Sequence, residues 1–310
     1  MVSRRWGGRL RILLLVALVV AGGLSAVDGP AHGMTAGAAA ASDDAAIGVK
    51  VLPDAPVQGD TLAVMVTAPR SAQVRVSFDG TGVPAYPLSG GTHRALIGTD
   101  PNVATGAHGV VVAVTARGKP ALRMSRAVRI GSGQFGIRTI TMSGKTFGLI
   151  NPENATIERR ALGSALGRRT PEALWSGPFV APSGGTMDSP YGDASYYNGH
   201  RAWWHQGMDY AAAEGDPVVA ANAGVVTLAQ GLPLGGNTVV VDHGQGVFTE
   251  YLHLSAFTVR SGARVARGDV VGRIGATGLV TGPSLHWGLY VNGTWVNPSF
   301  WMEQRPGVTQ

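Results

Sequence analysis

Five of the eight histidines, His200, His205, His243, His253 and His286, fall within one stretch of fewer than ninety residues. The first segment worth testing for chemistry is Trp204-His205-Gln206-Gly207-Met208-Asp209-Tyr210. Read as a strand, it points residues four apart to the same face, so His205 and Asp209 aim at one point. A neutral imidazole and a carboxylate, joined by one more imidazole, make the usual three-ligand set of a catalytic zinc site with an open fourth position. The third imidazole comes most readily from Thr281-Gly282-Pro283-Ser284-Leu285-His286-Trp287. His253, in Glu250-Tyr251-Leu252-His253-Leu254, is placed to act as a base or as a donor to a developing oxyanion, because a zinc-bound water is acidic enough to lose its proton to an imidazole. Two imidazoles and one carboxylate leave a divalent ion with a formal charge of about +1, still a useful Lewis acid.

These segments, in their order, resemble the LytM/lysostaphin-type zinc endopeptidases, the M23 peptidases. The resemblance is carried by His205-Gln-Gly-Met-Asp209, Gly215-Asp-Pro-Val-Val-Ala220, Tyr251-Leu-His253-Leu254 and Thr281-Gly-Pro-Ser-Leu-His286. The connecting pieces Gly236-Asn-Thr-Val-Val-Val-Asp-His243 and Gly268-Asp-Val-Val-Gly272 also fit, and the whole covers about residues 176–300. No single motif among them is specific, but their joint order is. The resemblance implies zinc ligands at His205, Asp209 and His286 and a catalytic role for His253. It implies hydrolysis of peptide bonds in peptidoglycan, by a protein whose partner is that polymer. One position departs from the pattern: the family has His-x-His at the last motif, and here the first of the pair is Ser284. A hydroxyl can donate a hydrogen bond to an oxyanion but cannot hold a proton at neutral pH. Ser284 therefore motivates a rival reading, a non-catalytic peptidoglycan-binding or activator protein that keeps the fold. A third reading is a carboxypeptidase trimming the ends of the same polymer.

The remaining candidates have plainer readings. His243, at a strand end before Gly244, reads as a structural residue anchoring a turn, and His200 as a surface or cleft-lining residue. Trp203, Trp204 and Trp287 flank the ligand segments and suit core packing or a substrate groove. Tyr196 and Tyr197 could lend a phenol to a transition state.

The elements that must position these residues are predominantly strands. Glycine is abundant, with 46 residues, and only 14% of residues are charged, a texture of tight turns and short strands. Candidate strands at 217–220, 224–229, 237–242, 248–253, 270–274 and 285–291 are separated by Gly-rich and Asn-Gly turns, which predicts a compact antiparallel β domain over 178–302. Upstream, alternating runs at 61–67, 73–78, 93–97, 109–115 and 125–130 recur at roughly 10–15-residue spacing and predict an immunoglobulin-like β-sandwich over 46–133. The expected fold is thus all-β. Between the two domains, 134–177 reads as a linker in which Pro152–Arg168 could form one amphipathic helix.

At the N-terminus, Arg4, Arg5, Arg9 and Arg11 precede a nearly uninterrupted apolar run, Leu10–Leu24, and small residues follow. Residues 1–26 read as a signal peptide, or, uncleaved, as a membrane anchor, and 27–45 as a disordered tether. Either way the body is expected outside the cytoplasm, secreted, periplasmic or wall-associated. The chain has no cysteine, so disulfides, thiol nucleophiles and cysteine metal sites are excluded. The net charge of +6 is uneven: the first 26 residues carry four arginines and no acid, 27–177 hold 15 basic against 10 acidic residues, and 178–310 hold 6 against 9. The domain that bears the candidate site is therefore slightly acidic and excludes nucleic acid as its partner. The basic middle suits an anionic wall polymer.

Overall fold

The computed structural model describes residues 46–305 and 307–309. The leader and tether read at 1–26 and 27–45 lie outside the described residues. Eight strands come first: β1 (Gly48–Leu52), β2 (Thr61–Thr67), β3 (Gln73–Phe78), β4 (Thr81–Val83), β5 (Ala85–Pro87), β6 (Thr92–Gly98), β7 (Gly106–Thr115) and β8 (Leu122–Ile130). They form two antiparallel sheets, ordered β1-β2-β6-β5 and β4-β3-β7-β8. Lettered in chain order this is ABED against C′CFG, the strand arrangement of an immunoglobulin-like sandwich. Leu62, Val64 and Val66 of β2 meet Val110, Val112 and Val114 of β7 in the space between the sheets. Alternation then sends Ala63 of β2 and Leu96 of β6 to the opposite face, where they join the core of the C-terminal domain with Val291, Val296 and Trp301. The first sheet is thus covered on both faces, and its strands are apolar along most of their length for that reason.

The segment after the sandwich has more structure than a linker. It contains β9 (Ile137–Ile140), the short α1 (Gly144–Phe147) and α2 (Pro152–Leu166). Asn151 caps α2, its side-chain oxygen accepting from the Asn154 N–H at 2.9 Å, and Pro152 takes the first helical position, where its missing N–H costs nothing.

The C-terminal domain comprises β10 (Thr186–Ser189), β11 (Ala194–Tyr197), β12 (His200–Trp204), β13 (Gly207–Ala211), β14 (Pro217–Val219), β15 (Gly224–Leu232), β16 (Gly236–Gly244), β17 (Val247–Leu254), β18 (Ala256–Phe257), β19 (Arg264–Val265), β20 (Val270–Arg273), β21 (Ser284–Val291), β22 (Thr294–Val296) and the helical turn α3 (Pro298–Met302). The main sheet runs β10-β13-β21-β17-β16-β15-β19, with β22 on β21. One of its faces builds the main core from Val239, Val241, Tyr251, Trp287 and Leu289. The other carries Val240, Phe248 and Tyr290, which pack under Ala165 and Leu166 of α2. Strand β9 adds itself in parallel to β11, completing a small sheet ordered β12-β11-β9. The linker therefore supplies both a strand and a helix to the C-terminal half. No helix among the described residues is long and apolar enough to cross a membrane.

Candidate functional site

The central strands of the main sheet hold the first two groups in register. Asp209 on β13 stands directly opposite His286 on β21, so both project to one face. His205 does not lie on a strand with Asp209, as the sequence suggested. It sits in the short turn between β12 and β13, where its N–H donates to the Asp193 carbonyl and its carbonyl accepts from Gly192. The turn brings its ring back over β13. Gly207, between the two, has no room for a side chain: a Cβ there would fall 2.3 Å from the Trp287 carbonyl and 2.7 Å from His286 Nε2.

Three atoms converge. His205 Nε2 lies 3.0 Å from Asp209 Oδ1 and 3.0 Å from His286 Nδ1, and His286 Nδ1 lies 2.9 Å from Asp209 Oδ1. Among the described residues this is the one His/Asp/Glu group so disposed. The second nitrogen of His205, Nδ1, donates to the Pro190 carbonyl at 2.7 Å, which leaves Nε2 as a lone pair directed at the cluster. His286 presents its Nε2 toward the buried Glu250 carboxylate, 3.7 Å away. Lone pairs gathered at about 3 Å need a proton or a cation among them. An ion about 2.0–2.2 Å from each atom would reach all three at once, the ordinary distance for zinc bound to nitrogen and carboxylate. The donor set and its spacing therefore fit a zinc ion. A carboxylate behind a ligand imidazole is the usual outer support of such a site.

The electrostatics agree with that arrangement. Burial pushes the His205 imidazole down, partly offset by Asp209. Burial would raise the Asp209 carboxyl, but the two imidazoles outweigh it and hold it well below the usual carboxylate range. Burial also opposes charge on His286, yet the Asp209 and Glu250 carboxylates raise it to about 9. A cation bound here takes the place of that proton.

The cluster opens into a cleft of about 490 Å³ that also exposes His253 and Ser284. His253 reaches the cleft through an irregularity. Between the pairs Val239↔Tyr251 and Asn237↔Leu254 the strand β17 carries one extra residue, a bulge at Leu252–His253 opposite Thr238. His253 takes a left-handed φ of 66°, which costs a non-glycine residue about 1–2 kcal/mol. On an unbroken strand it would point away from the face that His286 shares with Leu252. The bulge re-aims it, so that the two rings lie 6.5 Å apart. Its Nδ1 donates to the Thr277 carbonyl at 2.9 Å, leaving Nε2 unprotonated, and burial, reinforced by His286, pushes the ring down to about 4. The imidazole is thus neutral at pH 7, with the Nε2 lone pair unshared.

The opposing wall comes from the segment read as a linker. Arg138 on β9 donates through Nη1 to Asp209 Oδ2 at 2.7 Å and to Ser189 Oγ at 3.0 Å, and through Nε to Ser195 Oγ at 2.7 Å. The oxygen of Asp209 that faces away from the imidazoles is therefore already occupied. Arg138, Glu250 and the cleft-lining Glu158 of α2 escape sequence reasoning. Arg138 and Glu158 lie outside every motif, and Glu250 stands inside one without a distinguishing spacing. Of the other candidates, Trp203 and Tyr197 line the cleft, with the Tyr197 hydroxyl 3.5 Å from Arg138. Trp287 is core. His200 stacks on Phe147, and His243 is buried, its Nδ1 donating to the Ala223 carbonyl at 2.7 Å.

Residues 204–298 match peptidase family M23. The likeness to that family thus lies in this segment of the C-terminal domain. The peptidoglycan DD-endopeptidase ShyA of Vibrio cholerae is 46% identical over 93 residues, covering 30% of this chain and 22% of that protein. The DD-carboxypeptidase/endopeptidase Mpg of Neisseria meningitidis is 41% identical over 124 residues, 40% of this chain and 29% of that protein. This chain thus spans less than a third of the length of these curated relatives. A crystal structure assigned to peptidase M23 from Pseudomonas aeruginosa has a TM-score of 0.59 at 27% identity, covering 80% of this chain and 95% of that one. That coverage exceeds the M23 domain alone, so the likeness extends into the sandwich.

Proposed function

We propose that this chain is an exported zinc endopeptidase that hydrolyses peptide bonds in peptidoglycan. The observation that carries the reading is the convergence of His205 Nε2, Asp209 Oδ1 and His286 Nδ1 at the floor of a cleft that also holds a neutral imidazole. Support for the substrate comes from the relatives named as peptidoglycan DD-endopeptidases, and support for export from the basic-then-apolar leader of the sequence. Zinc bound by the three residues would supply Lewis acidity at a scissile carbonyl and acidify water. His253 accepts the proton of the attacking water at Nε2 and returns it to the departing amine, while its Nδ1–H stays fixed on Thr277. Ser284, which lines the cleft, donates a hydrogen bond from its hydroxyl to the oxyanion. Arg138 holds the Asp209 carboxylate in place.

The test is metal analysis joined to mass analysis of fragments released from purified peptidoglycan. The wild-type protein is expected to carry about one zinc per chain and to release cross-linked pieces, and His205→Ala to lose both. Release of single residues instead would indicate carboxypeptidase action. A zinc-loaded protein that binds every wall type offered and releases nothing would overturn the reading in favour of a binding or activator role, which the serine at position 284 specifically favours.

A further inference from the structure

Glu158 is an acid on a helix outside the family-matched segment, yet it lines the cleft. It does not offer its carboxylate to the open space. Oε2 accepts from the Leu234 N–H at 3.1 Å and Oε1 from the Gly235 N–H at 2.9 Å. Those two amides belong to the turn joining β15 and β16, and the same Gly235 presents its carbonyl to the His253 N–H at 2.8 Å. The approach is so close that a Cβ on Gly235 would sit 2.9 Å from Glu158 Oε1 and 2.6 Å from Thr238 Oγ1. Thr238 is the residue facing the bulge that carries His253.

We infer that Glu158 is a positioning residue for His253: through Leu234–Gly235 it fixes the carbonyl that holds the bulge, and so the linker helix α2 is part of the catalytic apparatus. The logic is mechanical. A left-handed, non-glycine residue persists only where its surroundings over-determine it. Three contacts do so for His253: Gly235 on its N–H, Thr277 on its ring, and a weaker bond at 3.4 Å from the Thr277 N–H to its carbonyl. The Thr277 contacts are held from within the sheet, where Thr277 Oγ1 accepts from the Asn237 N–H and donates to the Leu254 carbonyl, whereas the first depends on a turn clamped by Glu158 from a separate helix. A bidentate carboxylate on two consecutive amides is a stiff clamp, because each bond is charge-assisted and together they fix the turn's orientation. Further back, the Asn151 cap and the burial of Ala165 and Leu166 against β15 and β16 hold α2 in place. The path from helix to imidazole is thus continuous, and its length is one side chain and one peptide unit.

The inference rests on the endopeptidase reading for its kinetic readout, and its spectroscopic readout is independent of it. In the full-length zinc-loaded protein, Glu158→Ala and Glu158→Gln are compared with wild type and with Glu153→Gln, an exposed acid in the first turn of the same helix. The expected kinetic result, with a soluble cross-linked muropeptide, is a fall in kcat of about 10–100-fold for Glu158→Ala with KM and zinc content unchanged, as for a catalytic group displaced by about an ångström. Glu158→Gln, which can keep one acceptor, falls between, and Glu153→Gln matches wild type. The expected spectroscopic result is a shift of the His253 ring resonances in 15N–13C spectra of both Glu158 variants, with those of His243 unmoved. A folded Glu158→Ala whose His253 signals and kcat match wild type would overturn the inference. Should that variant not fold, Glu158→Gln decides by the same two readouts. If wild type itself proves inert on every wall, the endopeptidase reading falls, and the His253 resonances alone decide the role of Glu158.

Discussion

At the scale of single residues, the proposed site carries a serine, Ser284, where the M23 pattern has an imidazole. Among the described residues, His253 is the cleft imidazole outside the ligand trio that combines neutrality with a free lone pair. It is neutral because burial pushes it to about 4, and free at Nε2 because Thr277 takes Nδ1. Ser284 lines the same cleft on β21, two residues before His286 and therefore on the same face, and its hydroxyl can donate a hydrogen bond but cannot shuttle a proton at neutral pH. On the proposed reading the chemistry has one proton carrier where the M23 pattern has two, and a positioned acid–base group contributes about 10²–10⁴ in rate. Restoring the second by Ser284→His is expected to raise kcat on a soluble muropeptide by tenfold or more, with the zinc stoichiometry unchanged. Steady-state kinetics of the two proteins side by side would check it. A variant no faster than wild type would mean that Ser284 already meets the need through its hydroxyl, or that another group does.

At the scale of elements, the sequence is informative wherever one face of a strand is buried against one core. The strands Thr61–Thr67 and Gln73–Phe78 are legible to the residue, and the runs around Val239, Tyr251 and Leu289 to within one or two, because alternation and turn glycines mark their ends. The helix at Pro152–Leu166 is legible from its amphipathic Leu/Ala pattern. What is not legible is pairing at long range. Strand β9 is four residues of mixed character, Ile137-Arg138-Thr139-Ile140, exposed enough to pass for linker until β11 lies beside it. The bulge at His253 is equally silent, since a register shift depends on the partner strand. The cost of that silence is Arg138. Two effects oppose each other when it is removed. A nearby cation is lost, which favours a metal ion, and the Asp209 carboxylate loses its charge-assisted anchor at 2.7 Å, which disfavours it. The anchor is mostly out of water and is itself fixed by Ser189 and Ser195, so orientation is expected to dominate. Arg138→Met should lower zinc affinity about 10–100-fold, the usual effect of losing an outer support, as read by competition with a chromogenic chelator. Equal or tighter zinc binding would show that charge, not orientation, is what Arg138 contributes.

At the scale of the whole molecule, the two β domains share material. Ala63 and Leu96 of the sandwich lie in the same core as Trp301, whose indole N–H donates to Thr61 Oγ1 at 2.9 Å. Arg94 of β6 donates to Gln245 Oε1 through Nε and Nη2, at 3.0 and 2.8 Å, and lies over the Trp175 ring. With apolar and polar contacts both crossing the junction, the two halves are expected to unfold in one transition. That coupling lets a buried group in one half govern the stability of both. His243 is fully buried in the C-terminal half, and burial pushes it to about 4. The unfolded chain, with an ordinary histidine near 6.5, takes up a proton on acidification that the folded chain refuses, so stability falls as pH drops through that window and not above it. At about 1.4 kcal/mol per unit the loss from His243 alone reaches roughly 3 kcal/mol by pH 4. His205 and His253, both lowered, add in the same direction. Calorimetry between pH 7 and pH 4.5 should therefore show a single peak moving steadily down. In His243→Gln the slope should be shallower, because the titrating ring is gone while an amide can still face Ala223 and Thr249. Two separate peaks, of which only one moves, would show that the contacts of Arg94 and Trp301 do not tie the sandwich to the domain it rests on.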